Sequence, residues 1–115
     1  MSKDRMRRVN EAVKEVISVA IGNELKDPRV GFVTVTDVRT SPDLRHARVY
    51  VSVLGDERRR EETLAGLGSA RGYLQRRVAG ELTLKHTPQL DFHYDESVDR
   101  GIRITELLRE EEPSR

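Results

Sequence analysis

The sequence predicts an α+β domain in which helices cover one face of a three-stranded sheet. Three observations support this. Apolar residues recur at helical spacing near the start of the chain, β-branched residues alternate with polar ones in two later runs, and a third alternating run follows near residue 92. At 115 residues the chain is long enough for one domain with a single modest core. We therefore expect one layer of helices packed on one sheet.

The first element is predicted to be a helix over residues 4–25. Its apolar positions are Val9, Ala12, Val13, Val16, Ile17, Ala20 and Ile21. Asp27 precedes Pro28, which pushes the backbone out of the α region and ends the helix. The first turns carry Lys3, Arg5, Arg7 and Arg8. Cations there oppose the helix dipole, so either they contact a ligand or this end is merely solvated and frayed.

Two strands are predicted next, over residues 32–38 and 47–53, with a turn at Ser41-Pro42-Asp43 between them. In the second strand Ala47, Val49, Val51 and Val53 face one way, and Arg48, Tyr50 and Ser52 face the other. This alternation predicts an antiparallel pair with one buried face and one wetter face.

A pair of helices is predicted after the second strand, joined by a kink near residue 70. The first opens at Gly55-Asp56 and the second covers residues 73–82, with glycines at 68 and 72 near the joint. A helix-interior glycine costs roughly 0.5–1 kcal/mol relative to alanine, so two of them indicate a bend or a close backbone approach. Free amides at the second helix start, beside Arg76 and Arg77, would suit a phosphate. The alternative is a joint that serves packing alone.

The chain is predicted to close with a strand over residues 90–94, after Pro88, and a helix over residues 96–110. Residues 110–115 form an acidic segment that we expect to be disordered. The domain is therefore assigned to residues 1–109 and the tail to residues 110–115.

The modest net charge of +1 hides an uneven distribution. Residues 1–90 hold 17 basic and 12 acidic side chains, whereas residues 91–115 hold 4 and 8, so the body of residues 1–90 has a net charge of +5 and the last 25 residues have a net charge of −4. A basic body is typical of nucleic-acid binding. Cysteine is absent, which fits a cytoplasmic location and excludes disulfides and cysteine-ligated metals. No apolar run approaches the length of a membrane span, and no signal peptide is apparent.

Catalysis is not expected. His46, His86 and His93 are the candidate bases, but their spacing groups them with no triad serine and no clear metal site. Asp91, His93 and Asp95 alternate along the third strand and could share a face, although a solvated edge is the simpler interpretation. The run Gly66-Leu67-Gly68-Ser69-Ala70-Arg71 fails the dinucleotide-binding pattern because arginine occupies the third glycine position. We therefore predict no metal, no cofactor and no small-molecule substrate.

The order helix, strand, strand, helix, kink, helix, strand, helix matches the K-homology (KH) fold of bacterial type. KH domains bind single-stranded nucleic acid through a G-x-x-G loop between two helices. This sequence contains no G-x-x-G. The prediction at this point is a single KH-like (type II) domain that lacks the G-x-x-G loop.

The chain resembles the ribosome-binding factor A family over nearly its whole length. The segments that carry the resemblance are Arg5-Met6-Arg7-Arg8-Val9-Asn10, Lys26-Asp27-Pro28-Arg29-Val30-Gly31, Val35-Thr36-Asp37-Val38, Ser41-Pro42-Asp43-Leu44, Ala47-Arg48-Val49-Tyr50-Val51, Ala70-Arg71-Gly72-Tyr73-Leu74, Pro88-Gln89-Leu90-Asp91-Phe92 and Asp95-Glu96-Ser97. In that family an alanine-x-glycine kink replaces the KH loop, and Ala70-Arg71-Gly72 reproduces it. Departures are Gln75, where arginine is usual, and Lys85 and Gln89, which replace an arginine and a glutamate.

The resemblance implies a bacterial assembly factor that binds the free small ribosomal subunit through rRNA. It would support late maturation, including the 5′ end of the rRNA, and growth in the cold, acting as a monomer. The predicted RNA-contacting residues are Lys3, Arg5, Arg7, Arg8, Arg45, Ala70, Arg71, Gly72, Arg76, Arg77 and Lys85. A non-ribosomal KH-like RNA-binding protein and a protein-interaction adaptor remain the alternatives.

Overall fold

A computed structural model describes residues 3–97 and residue 108 of the chain. Its elements are α1 (Lys3–Asn23), β1 (Val33–Thr40), β2 (His46–Val53), α2 (Glu57–Ser69), α3 (Arg71–Glu81) and β3 (Gln89–Tyr94). The predicted α+β class, the three strands and the kinked helix pair are confirmed. Most of the helix predicted over residues 96–110, and the tail at 110–115, lie outside the described residues.

The sheet has the order β1-β2-β3. β1 and β2 are antiparallel, as predicted, with Val33 opposite Val53 and a register shift between Val35 and Asp37. β3 runs parallel to β2, with Gln89 beside His46. Parallel neighbours need a crossover connection, and α2 and α3 supply it.

The core lies between the sheet and the helices. It contains Val13, Ile17 and Ala20 of α1, Leu67 of α2, Leu74 and Val78 of α3, and Val38, Ala47, Val49, Val51 and Leu90 of the sheet, all essentially buried. The predicted alternation of β2 is confirmed. Phe32 was predicted to begin the first strand, but β1 begins at Val33, and Phe32 is 82% exposed beside Leu54.

A loop before β1 is fixed to α2 by close packing. The Thr63 hydroxyl donates to the Arg29 carbonyl at 3.2 Å. A β-carbon placed on Gly66 would lie 2.7 Å from Val30 Cγ2, which is closer than real contacts allow. Gly66 therefore lets the loop approach the helix directly.

Candidate nucleic-acid interface

The kink is centred on Ala70, which separates α2 from α3. Its backbone has φ −88° and ψ 1°, outside regular helix. The Ala70 amide donates to the carbonyls of Gly66 and Leu67, both at 3.1 Å, and helical bonding resumes with Leu74 N–H donating to Ala70 O at 3.0 Å. No side chain in the described part of the chain caps α3. The first amides of α3 thus remain free to bind an anion.

Gly68 and Gly72, the two glycines at the kink, are not needed for close packing. The glycines predicted a bend or a close backbone approach. The bend is present, but no close approach occurs at Gly72, because its φ is not positive and a β-carbon would make only an ordinary contact, 3.5 Å from Arg76 Nη1. Around Gly68 a β-carbon would meet nothing within 4 Å. Both glycines are exposed, so they leave the backbone open on the outside of the kink.

The three arginines of the kink differ in how they are held. Arg76 is exposed, and within residues 3–97 its guanidinium makes no hydrogen bond or ion pair. Arg71 Nη2 lies 3.9 Å from Asp91 Oδ1. Arg77 is engaged: its Nε is 2.8 Å from Glu24 Oε1, and its Nη1 is 3.0 Å from Glu81 Oε1. Arg76 is therefore the kink side chain most available to a ligand.

Glu24 connects the end of α1 to α3 through two residues. The Tyr73 hydroxyl donates to its carboxylate, as does the Arg77 guanidinium. The hydrogen bond from Tyr73, followed by that from Arg77, lowers the pKa of Glu24. Tyr73 is not a core residue, because it is 36% exposed and its hydroxyl donates to Glu24.

A second group of predicted residues lies at the other end of α1, and we call it the amino-end cluster. Its members are Lys3, Arg5, Arg7, Arg8, Arg45 and Lys85. Asn10 Oδ1 accepts from the Thr40 amide at 2.9 Å, which places the start of α1 beside the end of β1. The Gln89 amide donates to the Arg45 carbonyl at 2.8 Å, which places the β1–β2 turn beside the loop that carries Lys85.

Two grooves hold members of the amino-end cluster. One is lined by Lys3 and Arg7 together with Arg39 and Pro42. The other is lined by Arg5 and Arg8 together with residues 82–84, next to Lys85. The kink residues are not part of this cluster, because α1 and α3 run antiparallel and Glu24 is at the far end of α1. The 21 residues of α1 correspond to about 30 Å.

Arg29 is a basic residue beside the kink that the sequence analysis did not select. Its Nη2 lies 3.2 Å from Ser69 Oγ and 2.6 Å from Asp27 Oδ2. The hydrogen bonds from the Arg29 side chain and amide lower the pKa of Asp27 to about 2. Arg29 lies in a loop, where side chains follow no helical or strand periodicity that would predict their direction. The only sequence signal for it is the segment Asp27-Pro28-Arg29, which carries part of the family resemblance.

Gln75 explains one departure from the family pattern. Its Oε1 accepts from the Leu90 amide at 3.1 Å, which satisfies an outward-facing backbone donor of the edge strand β3. Arginine has no acceptor and could not make this bond. Gln75 therefore acts as a structural residue here.

Neither a metal site nor a membrane span is found in the part of the chain that the structure describes. No group of three or more metal-ligating side chains occurs there, so Asp91, His93 and Asp95 do not assemble a site. The Asp95 carboxylate lies 2.6 Å from the Thr36 hydroxyl at the register shift of β1. No helix among these residues is long and apolar enough to cross a membrane.

Comparison with known proteins decides the family. A family model described as ribosome-binding factor A matches residues 5–108. The chain belongs to the ribosome-binding factor A family. Ribosome-binding factor A of Halothermothrix orenii is 49% identical over 117 residues, which cover 99% of this chain and 96% of that protein.

Solved structures agree with this assignment. The crystal structure of ribosome-binding factor A from Thermus thermophilus aligns with a TM-score of 0.70 at 28% identity, covering 77% of this chain and 94% of that one. A second Thermus thermophilus structure is a homology model of the factor fitted into a cryo-EM map of its complex with the 30S subunit. It aligns with a TM-score of 0.63 at 29% identity, covering 76% of this chain and 91% of that one.

Proposed function

We propose that this chain binds the free small ribosomal subunit through rRNA in the cytoplasm and supports its late maturation, including processing of the rRNA 5′ end. The observation that carries the proposal is the shared fold with the Thermus thermophilus factor described in a 30S complex. The kink supports it physically, because among residues 3–97 no side chain caps α3 or pairs with Arg76, and amides and a guanidinium placed in this way suit a phosphate. The protein acts as a monomeric binding factor, not as an enzyme.

Binding is tested by sedimenting the purified protein with small subunits and with large subunits over a range of salt. Phosphate contacts should make log K fall with log salt by roughly 0.7–0.9 per phosphate neutralised. Arg76→Gln should flatten this slope by about one contact without changing the thermal midpoint. Binding that is equal for both subunits, or a slope near zero, would count against the proposal and favour a protein-interaction adaptor.

The maturation step needs a separate test in cells. We expect deletion of the gene to accumulate small-subunit rRNA with an unprocessed 5′ end, more strongly in the cold, as measured by primer extension. The Arg76→Gln variant should restore processing less well than the unsubstituted gene. Normal 5′ ends in the deletion strain at low temperature would restrict the function to binding alone.

A further inference from the structure

The face of the sheet that points away from the helices carries three charged residues in line, Arg39, Arg48 and Asp91, and Arg71 of α3 extends this line past β3. We call these four residues the cross-sheet row. Arg39 lies directly opposite Arg48 in the β1–β2 register, and Arg48 lies opposite Asp91 in the β2–β3 register. Beyond β3, the Nη2 atom of Arg71 lies 3.9 Å from Asp91 Oδ1. The row therefore crosses all three strands and ends at the kink.

The position of Arg39 directly opposite Arg48 does not favour folding stability. Like charges directly opposite each other on one sheet face are destabilising, because their β-carbons are only about 5 Å apart. Arg39 has a local carboxylate, with its Nε 3.0 Å from Asp37 Oδ2, and its side chain is 74% exposed. Arg48 is exposed and makes no hydrogen bond or ion pair within residues 3–97. A bound anion between them would turn this repulsion into attraction.

The one carboxylate inside the row does not serve Arg48. Asp91 is shared between Arg71 on one side and His46 Nδ1, 3.9 Å away, on the other. Arg39, His46 and Arg48 also line one shallow groove beside the β1–β2 turn. Two arginines and a histidine thus line a concave surface together with Asp91, while Asp37 contacts Arg39 from outside that groove.

Aromatic rings lie next to the row on the same face. Tyr50 follows Arg48 by two residues on β2, and its ring centroid is 5.8 Å from that of His93 on β3. The His93 ring is exposed and the Tyr50 ring is half-buried. Arginines beside accessible rings are typical of surfaces that contact nucleic acid, since phosphates pair with the guanidinium groups and bases stack on the rings. An acidic protein would use the arginines but would have no comparable need for the rings.

We propose that the cross-sheet row is a second RNA-backbone contact, which joins the kink to the amino-end cluster across the open face of the sheet. At one end the row reaches Arg71 of the kink. At the other end Arg39 also lines the groove that holds Lys3 and Arg7. One RNA strand could therefore run from the kink around the β3 edge to the start of α1. This inference rests on the proposed function.

The test compares Arg39→Gln, Arg48→Gln and the double variant with Arg58→Gln. Arg58 is the matched control because its side chain is 87% exposed and it lies in the first turn of α2. Each row variant should weaken binding to purified small subunits several-fold and reduce the salt slope by about 0.7–0.9. The thermal midpoint should stay nearly unchanged, because Arg39→Gln removes both an exposed ion pair with Asp37 and the like-charge contact with Arg48. Arg58→Gln should leave the slope as it is.

Three results would overturn the inference: row variants that bind like the unsubstituted protein, an equal loss in Arg58→Gln, or crosslinking to protein. The chain has no cysteine, so His46→Cys offers a single attachment point for a photocrosslinker within the groove. Crosslinks to rRNA are expected, whereas crosslinks to a ribosomal protein would replace the RNA contact with a protein contact. If the unsubstituted protein does not bind small subunits at all, the result contradicts the proposed function itself. Loss of the row contact alone would leave that function intact.

Discussion

Arg77 Nε lies 2.8 Å from Glu24 Oε1 and joins the residue that follows α1 to the second turn of α3. Arg76, the preceding residue, points into solvent beside Gly72. The two adjacent arginines thus have different surroundings. Arg77 is held in ion pairs that join two helices, whereas Arg76 is exposed to solvent. Substituting both together would mix a loss of fold stability with a loss of phosphate contact.

Arg77→Gln should lower the midpoint of thermal unfolding, because Glu24 would lose its charged partner while remaining only about a quarter exposed. Arg76→Gln, the matched control, should melt like the unsubstituted protein and lose only RNA affinity. Circular dichroism melts of the two variants measure this difference. An unchanged melt for Arg77→Gln, together with an equal loss of binding, would show that Arg77 contacts RNA directly.

Gly66→Ala should destabilise the fold by about 1–3 kcal/mol, because the new β-carbon would lie 2.7 Å from Val30 Cγ2 and 3.3 Å from Arg29 Cβ. Gly68→Ala in the same helix is the control. A β-carbon there meets nothing within 4 Å, so we expect stabilisation by up to ~1 kcal/mol. Chemical denaturation measures both, and equal effects would contradict the tight packing of the loop on α2.

Gly72→Ala should stabilise the free protein by up to ~1 kcal/mol, because alanine is the better helix former and the site has room for it. The same methyl group stands on the exposed side of the kink, so affinity for small subunits should fall. Denaturation and a binding titration on one preparation measure the two effects. A more stable variant with unchanged affinity would mean that RNA does not approach the kink.

Asp27 should contribute to stability above its ordinary pKa of 3.8 and lose that contribution as the pH falls toward its folded value of about 2. Stability falls with pH because Asp27 has a lower pKa in the folded protein than in the unfolded chain. As the pH falls, the unfolded chain therefore takes up the proton at a higher pH than the folded protein does. Asp27→Asn should be less stable at neutral pH and should lose less stability between those two pH values. Parallel unfolding curves for both proteins across this range would contradict a folded-state role for the Asp27–Arg29 pair.

The elements could be predicted from the sequence because each one expresses its own periodicity. The alternation of β2 and the helical spacing of α1 place both elements to within a few residues. The position of the kink was also right, since glycines at 68 and 72 and the Ala70-Arg71-Gly72 match indicated it. The reason was wrong: the glycines keep the outer surface open, whereas the close approach occurs at Gly66.

The candidate site was less predictable because its geometry depends on residues far apart in sequence. Glu24 neutralises Arg77 from 53 residues away, and the Arg29 side chain reaches Ser69 across 40 residues. Arg39 was missed because the predicted strand ended at residue 38, which left its position opposite Arg48 undefined. The sequence shows where the basic residues are. It does not show which of them form ion pairs with carboxylates of the same chain, because those partners are distant in sequence.

The parallel pairing of β2 with β3 has a consequence for how the chain folds. β1 and β2 meet across a short turn, so this hairpin can close early at low entropic cost. β3 can pair only after residues 54–88, including the kink, have been laid across the sheet. The surface proposed to bind RNA is therefore completed last. A chain still emerging from synthesis would hold its hairpin before it could present the assembled interface.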